Sequence, residues 1–477
     1  MMFELKFSDR KTVLETVAKK LGRMGGLPVK LIQFVSLRTE IFTDQEKLMF
    51  IDFFDQVPIV PLNVGEFLVS HLSPQAIAKI VRVEPQPVAS GSFAQVYRGW
   101  HADGTELAIK IKRPHLKSQL KFDFLLLNIF SHVLDLFLYQ RLVDIKKTVR
   151  EFERLTYFEL DYQREASRAN YFYQKYLNHQ DVVIPYTYLD LCSQDVIVQQ
   201  FVTGIPLTHL IHWKLNQPDV FDRVVAQNQI DMERAMITIV YEMYIQGAMF
   251  EYYYADPHPG NVQVLPGGKV VFLDFGLTNQ TPVNRKNYFQ IIQLLATQVD
   301  QIDLPKLSLA LLKLGARELY EAISTIDYYS PNKDKTLLNL IVESYAQEIG
   351  RNQFKLEKIE FEAKENFSEI ILNVMKMGDA YGVKIPADIF AIFRSVLIYK
   401  SYHQLLVPGH HPMRQVIDRV IKDVQPDTMI DQSEWGSEKM SMEQALEIYA
   451  DKIASIAEVR PDMFEKINQD AGSSLSA

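Results

Sequence analysis

The 477-residue sequence predicts an α+β chain with two lobes around a cleft, and three observations predict it. Strand-like runs between about Val83 and Phe201 follow a helical opening segment. Two hairpin signals, His101-Ala102-Asp103-Gly104 and Pro266-Gly267-Gly268, each join short apolar runs. From about Arg285 to Ile421 the pattern is helical almost throughout. Clefts between lobes are where small ligands collect.

Residues 1–82 form the expected helical N-terminal extension. Leu14, Val17 and Leu21, then Phe50, Phe53, Phe54 and Val57, recur at helical spacing, and Ser73-Pro74 reads as a capped helix start. Residues 83–201 form the small lobe. Val88–Tyr97 and Leu107–Ile111 are predicted strands about the Asp103-Gly104 turn, whose residues tolerate the dihedrals a tight hairpin needs. A long helical region follows from about Leu116 to Tyr176, and Asp195–Phe201 is a third strand, broken at Val202-Thr203-Gly204. Residues 202–430 form the helical large lobe, with strands at Val262–Leu265 and Lys269–Leu273. Residues 431–477 read as a polar linker and a tail helix near Met442–Ala457.

Composition bounds the function. Hydrophobic content of 47% supports a large core, and 23% charged residues of both signs is ordinary globular composition. A net charge of −8 with no long basic tract argues against nucleic acid as a partner. The single cysteine, Cys192, excludes an intramolecular disulfide and reads as a small buried residue. The N-terminus lacks a secretory signal's apolar core. The two most apolar stretches, Phe122–Leu138 and Ala235–Phe250, are interrupted by polar residues and read as buried helices rather than membrane spans. A cytoplasmic location, or the periphery of a membrane, is expected; oligomeric state is left open.

The chemistry sits in three segments. Asp256 and Asn261, in Ala255-Asp256-Pro257-His258-Pro259-Gly260-Asn261, are five residues apart, and Asp274-Phe275-Gly276 ends an apolar strand eighteen positions after Asp256. Phosphoryl transfer needs a carboxylate near the acceptor and oxygen donors for Mg²⁺, and a protein-kinase catalytic loop with its Asp-Phe-Gly segment supplies that set. The hairpin between Asn261 and Asp274 brings Asp256, Asn261 and Asp274 to one end of a strand pair. Upstream, Lys110 in Ala108-Ile109-Lys110 lies on the second strand of the Asp103-Gly104 hairpin, where a kinase keeps its phosphate-binding lysine. Before it, Ala89-Ser90-Gly91-Ser92-Phe93-Ala94-Gln95-Val96 places small residues where backbone amides can approach phosphates. Lys110 needs a carboxylate partner, and Glu165 is the candidate, although Arg164 and Arg168 share its helix. His258, between two prolines, reads as a hydrogen-bonding loop residue, and His410-His411 as a surface turn.

These residues resemble the UbiB/AarF-type atypical kinases, the ADCK family. Lys30-Leu31-Ile32-Gln33 is similar to the family's Lys-x-Gly-Gln motif. The alanine-rich loop at Ala89–Val96 with Lys110, the Glu159-Leu160-Asp161 segment leading to Glu165, and Asp256–Asn261 with Asp274 carry the rest. The resemblance covers roughly residues 20–400. It implies a bilobal protein-kinase-like fold and a nucleotide, ATP or ADP, bound with Mg²⁺. Asn261 and Asp274 are the implied metal ligands, and Lys110 and Asp256 the implied catalytic residues. Ala89, Ser90, Gly91, Ser92, Phe93, Ala94, Val96, Lys110, Glu165, Gln200 and Val202 are the implied nucleotide contacts. Lys30 and Gln33 would lie over the site, with Lys30 near Glu159 or Asp161, in a regulatory role. The implied activity is ATP hydrolysis or phosphoryl transfer in isoprenoid-quinone or other lipid metabolism. A membrane lipid or quinone precursor at the membrane surface is the implied partner.

Two positions depart from the pattern. Ile32 stands where the family has glycine, and a β-branched residue cannot lie as close to a ligand or backbone. Gly91 stands where the family has alanine, which moves the loop toward an ordinary kinase and bears on ATP-versus-ADP preference. The residue before Asp256 is Ala255 rather than arginine, and no Ala-Pro-Glu segment follows Gly276, so the usual peptide platform is not expected. A small-molecule phosphotransferase of aminoglycoside-kinase type and a non-catalytic, nucleotide-gated binder of lipids or a partner are the alternatives.

Overall fold

The computed structural model describes residues 26–36, 57–137, 145–255, 258–281, 285–295, 303–315, 317–329, 337–343, 401–409, 413–424 and 440–459, with a few single positions besides. Its described residues fall into two compact units. The first comprises 1–238, 256–278 and 401–408, and the second 239–255, 279–400 and 409–477.

The first unit opens with α1 (Gly26–Ser36), α2 (Val64–His71) and α3 (Pro74–Lys79). The Ser73 side chain accepts from the Ala76 amide and Pro74 begins α3, as the Ser-Pro pair predicts. A four-stranded sheet follows in the order β1 (Ile80–Ser90), β2 (Ala94–His101), β3 (Glu106–Lys112) and β5 (Val196–Gln200), with every pair antiparallel. Here the strand reading is corrected: the run predicted as one strand, Val88–Tyr97, holds the end of β1, a turn and the start of β2. β1 also begins earlier than predicted. It holds Pro85 and Pro87 because it is an edge strand, where proline costs no ladder bond on its outer side, and the pairing shifts register around Pro87. At the β2–β3 turn Gly104 takes a positive φ of 89°, and the Asp103 carboxylate accepts from the Thr105 amide at 2.9 Å, which lowers its pKa to about 2. Tyr97, Leu107, Ile109, Val196 and Val198 fill one core beneath the sheet, closed by Val64, Leu68 and Leu72 of the opening helices.

The long helical region expected over 116–176 is made of α4 (Leu116–Phe137), α5 (Ile145–Glu159) and α6 (Tyr162–Tyr176). The break before α6 is a cap: Asp161 accepts from the Arg164 amide at 3.1 Å. Leu116, Leu120 and Phe124 of α4 pack with Phe152 and Leu160 of the α5 region, with Leu27 and Phe34 of α1, and with Phe93. A second sheet, in the order β4 (Val182–Val183), β9 (Val270–Phe272), β8 (Val262–Val264), β6 (Ile205–Pro206), contains the predicted Pro266-Gly267-Gly268 hairpin. Gly267 and Gly268 both have positive φ, and a Cβ on Gly268 would stand 2.4 Å from the Asp231 carbonyl oxygen. Helices α7 (Leu207–Asn216) and α8 (Pro218–Gln227) lie between the two halves of this sheet in sequence.

Helix α9 (Met232–Met249) is buried along its length, as predicted for Ala235–Phe250. The matching expectation for Phe122–Leu138 is corrected: the outer side of α4 leaves Phe122, Leu125, Leu126 and Ile129 exposed. The second unit is otherwise α10 (Arg285–Leu295), α11 (Leu304–Gly315), α12 (Arg317–Tyr329), α13 (Met413–Asp423) and the tail helix α14 (Met442–Val459), with a small ribbon of β7 (Tyr252–Tyr254) and β10 (Thr278–Gln280). No helix among the described residues is long and apolar enough to cross a membrane.

Candidate active site

The site is built where β3, α6 and the β8–β9 hairpin converge within the first unit. Alternation along β3 buries Leu107, Ile109 and Ile111, so Lys110 points away from that core. Its ammonium donates to Glu165 Oε1 at 2.6 Å and to Asp274 Oδ2 at 2.7 Å. The Lys110 and Asp274 side chains retain 20% and 28% exposure, whereas that of Glu165 retains 4%. The ammonium thus spans from an interior carboxylate to one that solvent can reach. The Tyr162 ring lies 5.3 Å from it.

One ammonium faces two carboxyl groups, and burial displaces the titration of the inner one. Burial, then the Asp274 charge, raise the Glu165 carboxyl to about 8 despite the Lys110 ion pair. Burial also opposes charge on Asp274, but Lys110 and the Gly276 amide outweigh it and hold its pKa below the usual value. For Lys110 the two carboxylates outweigh burial and raise the pKa well above that of a free lysine.

The Asp-Phe-Gly segment is locked from three sides. The Gly276 amide donates to Asp274 Oδ1 at 2.8 Å. Phe275 stacks on Phe172 of α6 with ring centroids 5.0 Å apart. Arg164 donates to the Gly276 carbonyl at 2.6 Å and to the Phe158 carbonyl at 3.0 Å, tying the segment to the α5–α6 turn. A Cβ on Gly276 would approach Asp274 Oδ1 to 3.1 Å and Glu165 Oε2 to 3.5 Å, so the absent side chain leaves the carboxylates their room. Across the hairpin, Val262 pairs with Phe272, and the Leu273 amide donates to the Asn261 carbonyl at 3.0 Å. Asn261 therefore sits one ladder step from the residue preceding Asp274. His258 accepts from the Gly260 amide at 2.8 Å and shapes that turn, the hydrogen-bonding part predicted for it.

Lys30, on α1, forms an ion pair with Glu159, and its charge also reaches Asp274. Asp161 serves as the cap of α6. Ile32 is buried, so the position where the family has glycine is filled by core packing of α1. Gln33 lies on the same helix. In the loop, the Gly91 amide donates to the Ala94 carbonyl at 2.9 Å, closing the turn between Ser90 and Ala94. A Cβ on Gly91 would meet only that carbonyl, at 3.8 Å, so the position has room for the family's alanine. Ser92 is buried, the Phe93 side chain enters the α1–α4–α5 core, and Ala94 packs on Tyr162. Ala89 and Val96 are paired across β1–β2, and Val96 is paired with Lys110 across β2–β3. Gln200 pairs with Leu107 at the far end of β5, and Val202 follows it. Asp256 lies outside the described residues, as do His410 and His411.

Reading the sequence alone missed four residues. Arg164 and Tyr162 are two. Arg113 donates to Gly91 O at 3.1 Å, Ser90 Oγ at 2.9 Å and Pro58 O at 2.8 Å. Gln95 accepts from the Val60 amide at 2.6 Å and donates to the Val60 carbonyl at 3.0 Å. Together the last two strap residues 58–60 onto the loop. Arg164 and Tyr162 precede Glu165 on its helix and Gln95 lies in the small-residue loop, whereas Arg113 carries no local signal.

The donor set suits a hard divalent cation. Asp274 supplies an ionised, solvent-reachable carboxylate and Asn261 an amide oxygen. No cluster of three histidine, cysteine or acidic ligands occurs among the described residues, so phosphate and water oxygens would complete such a shell.

Residues 54–306 match the ABC1 atypical kinase-like domain. Among similar proteins, an uncharacterized Synechocystis protein is 24% identical over 78% of this chain and 86% of its own length. The chloroplastic activity-of-bc1-complex kinase 3 of Arabidopsis thaliana is 27% identical over 54% of this chain and 35% of its own length. An uncharacterized chloroplastic aarF domain-containing protein kinase of Arabidopsis thaliana is 24% identical over 82% of this chain and 71% of its own. A solved Mycobacterium tuberculosis protein, in complex with erythromycin, is 20% identical with a TM-score of 0.45, over 83% of this chain and 97% of that one.

Proposed function

The chain belongs to the ABC1 atypical kinase-like family, and from that premise we propose that it binds a magnesium nucleotide and hydrolyses it or transfers its terminal phosphoryl group. The observation that carries this reading is the single Lys110 ammonium shared by Glu165 and Asp274. When bound, the magnesium nucleotide supplies the transferable phosphoryl group and the positive charge on its phosphates. Asn261 and Asp274 would hold the cation, with Gly276 orienting the carboxylate. Lys110 would meet the phosphates, fixed from behind by Glu165 and Tyr162. The turn at Ala89–Val96 would cover the nucleotide, with Gln200 and Val202 on its base side. Asp256 would orient or deprotonate the acceptor. The proposed acceptor class is an isoprenoid-quinone precursor or a related membrane lipid, as the family resemblance implies.

Thermal-shift titration tests the reading. Mg-ATP or Mg-ADP should raise the melting midpoint of the wild type, and chelation should remove the effect. Asp274→Asn should weaken the magnesium-dependent part at least roughly ten-fold, because a charged ligand becomes a neutral one. Equal stabilisation of wild type and variant would sink the proposal. Phosphate release with and without a quinone-precursor analogue then separates hydrolysis from transfer.

A further inference from the structure

Residues 57–63 form neither helix nor strand, yet their middle is held by side chains from the sheet. At one end Val57 is buried, and at the other Leu62 packs on the sheet core and Asn63 caps α2. Pro58, Ile59, Val60 and Pro61 between them are exposed. The Gln95 side chain takes both backbone groups of Val60, accepting from its N–H at 2.6 Å and donating to its carbonyl at 3.0 Å. It also donates to the Tyr97 hydroxyl at 2.8 Å. Gln95 is buried, so its oxygen and both amide hydrogens have fixed partners in the interior.

Arg113 joins the same strap to the loop between β1 and β2. One guanidinium nitrogen donates to the Pro58 carbonyl at 2.8 Å and to Ser90 Oγ at 2.9 Å, and Nε donates to the Gly91 carbonyl at 3.1 Å. The Arg113 backbone amide adds a bond to the Phe93 carbonyl at 2.9 Å. The loop is thereby gripped twice: the Phe93 side chain enters the α1–α4–α5 core, and the Gly91 and Phe93 carbonyls are held by Arg113. The side of the sheet also matters. Gln95 pairs with Ile111, which enters the sheet core with Tyr97, whereas Val96 pairs with Lys110 on the opposite face. The contact of Gln95 with the strap therefore lies behind the sheet as seen from Lys110, and leaves the face that carries Lys110 open.

We infer that Gln95 and Arg113 are positioning residues for the nucleotide: through residues 58–60 they clamp the β1–β2 loop, and a bound magnesium nucleotide leaves only when that strap lets go. The inference rests on the nucleotide reading above and adds what sets the rate of release. A loop that lifts from its ligand has to break the Arg113 bonds together, because one guanidinium holds both strap and loop. Gln95 faces away from Lys110, so its effect on a nucleotide travels through the strap and the loop rather than by contact. The coupling is reciprocal: a ligand held under the loop tightens the strap by the factor by which the strap tightens the ligand.

Stopped-flow release of a fluorescent ATP analogue with Mg²⁺ from the full chain tests it. Gln95→Ala and Val60→Pro remove the two sides of one contact, and each should speed release roughly five-fold, the factor that one net hydrogen bond carries. Arg113→Ala should speed it at least about ten-fold, and Arg113→Lys, which keeps the charge but not the fork, should fall between. Association should change by less than about three-fold in all four. Val60→Pro alters only the exposed strap, so the test stands even where a variant of the buried Gln95 does not fold. Hydrogen exchange over residues 57–62 should slow when Mg-ATP is added to the wild type and should not respond in Arg113→Ala. Unchanged release in Arg113→Ala and Val60→Pro, or exchange in the wild type that ignores the nucleotide, overturns the inference and leaves the phosphotransfer reading in place. A wild type that binds no magnesium nucleotide overturns both.

Discussion

Two helices of the first unit depart from the usual distribution of side chains in opposite senses. Helix α6 carries a carboxylate, Glu165, into the interior, while α4 carries large apolar side chains out to solvent. The first departure is internally compensated: Lys110 reaches Glu165, Tyr162 lies beside the ammonium, and the Asp-Phe-Gly segment is pinned around them. The second has no compensation within the described residues. A buried carboxyl that its own fold holds beside an ammonium points to chemistry inside the molecule. An exposed stripe that no described residue covers points to contact outside it.

Removing the compensation in α6 should produce the largest effect. Lys110→Ala leaves Glu165 and Asp274 facing each other without the ammonium. Stripping one partner from a buried ion pair costs about 3 kcal/mol or more. Adding Glu165→Gln removes one of the opposed carboxylates and should restore part of that loss. A double-mutant cycle by urea denaturation reads the coupling. Additive losses would mean that the pair is not energetically joined, and the contrast with α4 would lose its basis.

Acidity gives a finer probe. The Glu165 pKa is raised from 4.5 in an unperturbed side chain to about 8 in the fold. Its protonated form therefore favours the folded state. That contribution is fully present below about 4.5 and is lost as pH rises through about 8. Melting midpoints of wild type and Glu165→Gln, compared without nucleotide from pH 5 to pH 9, should diverge toward high pH in favour of the variant. A constant gap would show that Glu165 ionises in the fold without penalty.

What the sequence revealed follows the range of the interactions involved. The Ser73-Pro74 cap, the Asp103-Gly104 turn and the Pro266-Gly267-Gly268 hairpin were legible because each is encoded within a few residues. The juxtaposition of Lys110 and Glu165, 55 residues apart, was legible only through motif order. The strap from Arg113 and Gln95 to residues 58–60 was not legible, because nothing local distinguishes an arginine that binds carbonyls from one in water. The start of β1 at Ile80 was not legible, because nothing local shows that an edge strand, which can hold Pro85 and Pro87, begins there. The outer side of α4 was misread for a related reason. Hydrophobicity predicts that a helix will seek cover, but not whether the same chain supplies it.

That last distinction yields the smallest expected effect and the most direct contrast. Leu125→Gln and Leu126→Gln replace side chains that are more than half exposed, so each should change folding stability by no more than about 0.5 kcal/mol. Phe124→Ala, immediately before them on the same helix, removes a ring that is 1% exposed and packed on Phe152 at 5.6 Å. It should cost about 3 kcal/mol or more. Urea denaturation of the three variants measures both sides of one helix. A large loss at Leu125 or Leu126 would mean that the fold already uses the stripe, and no outside partner would then be needed to account for it.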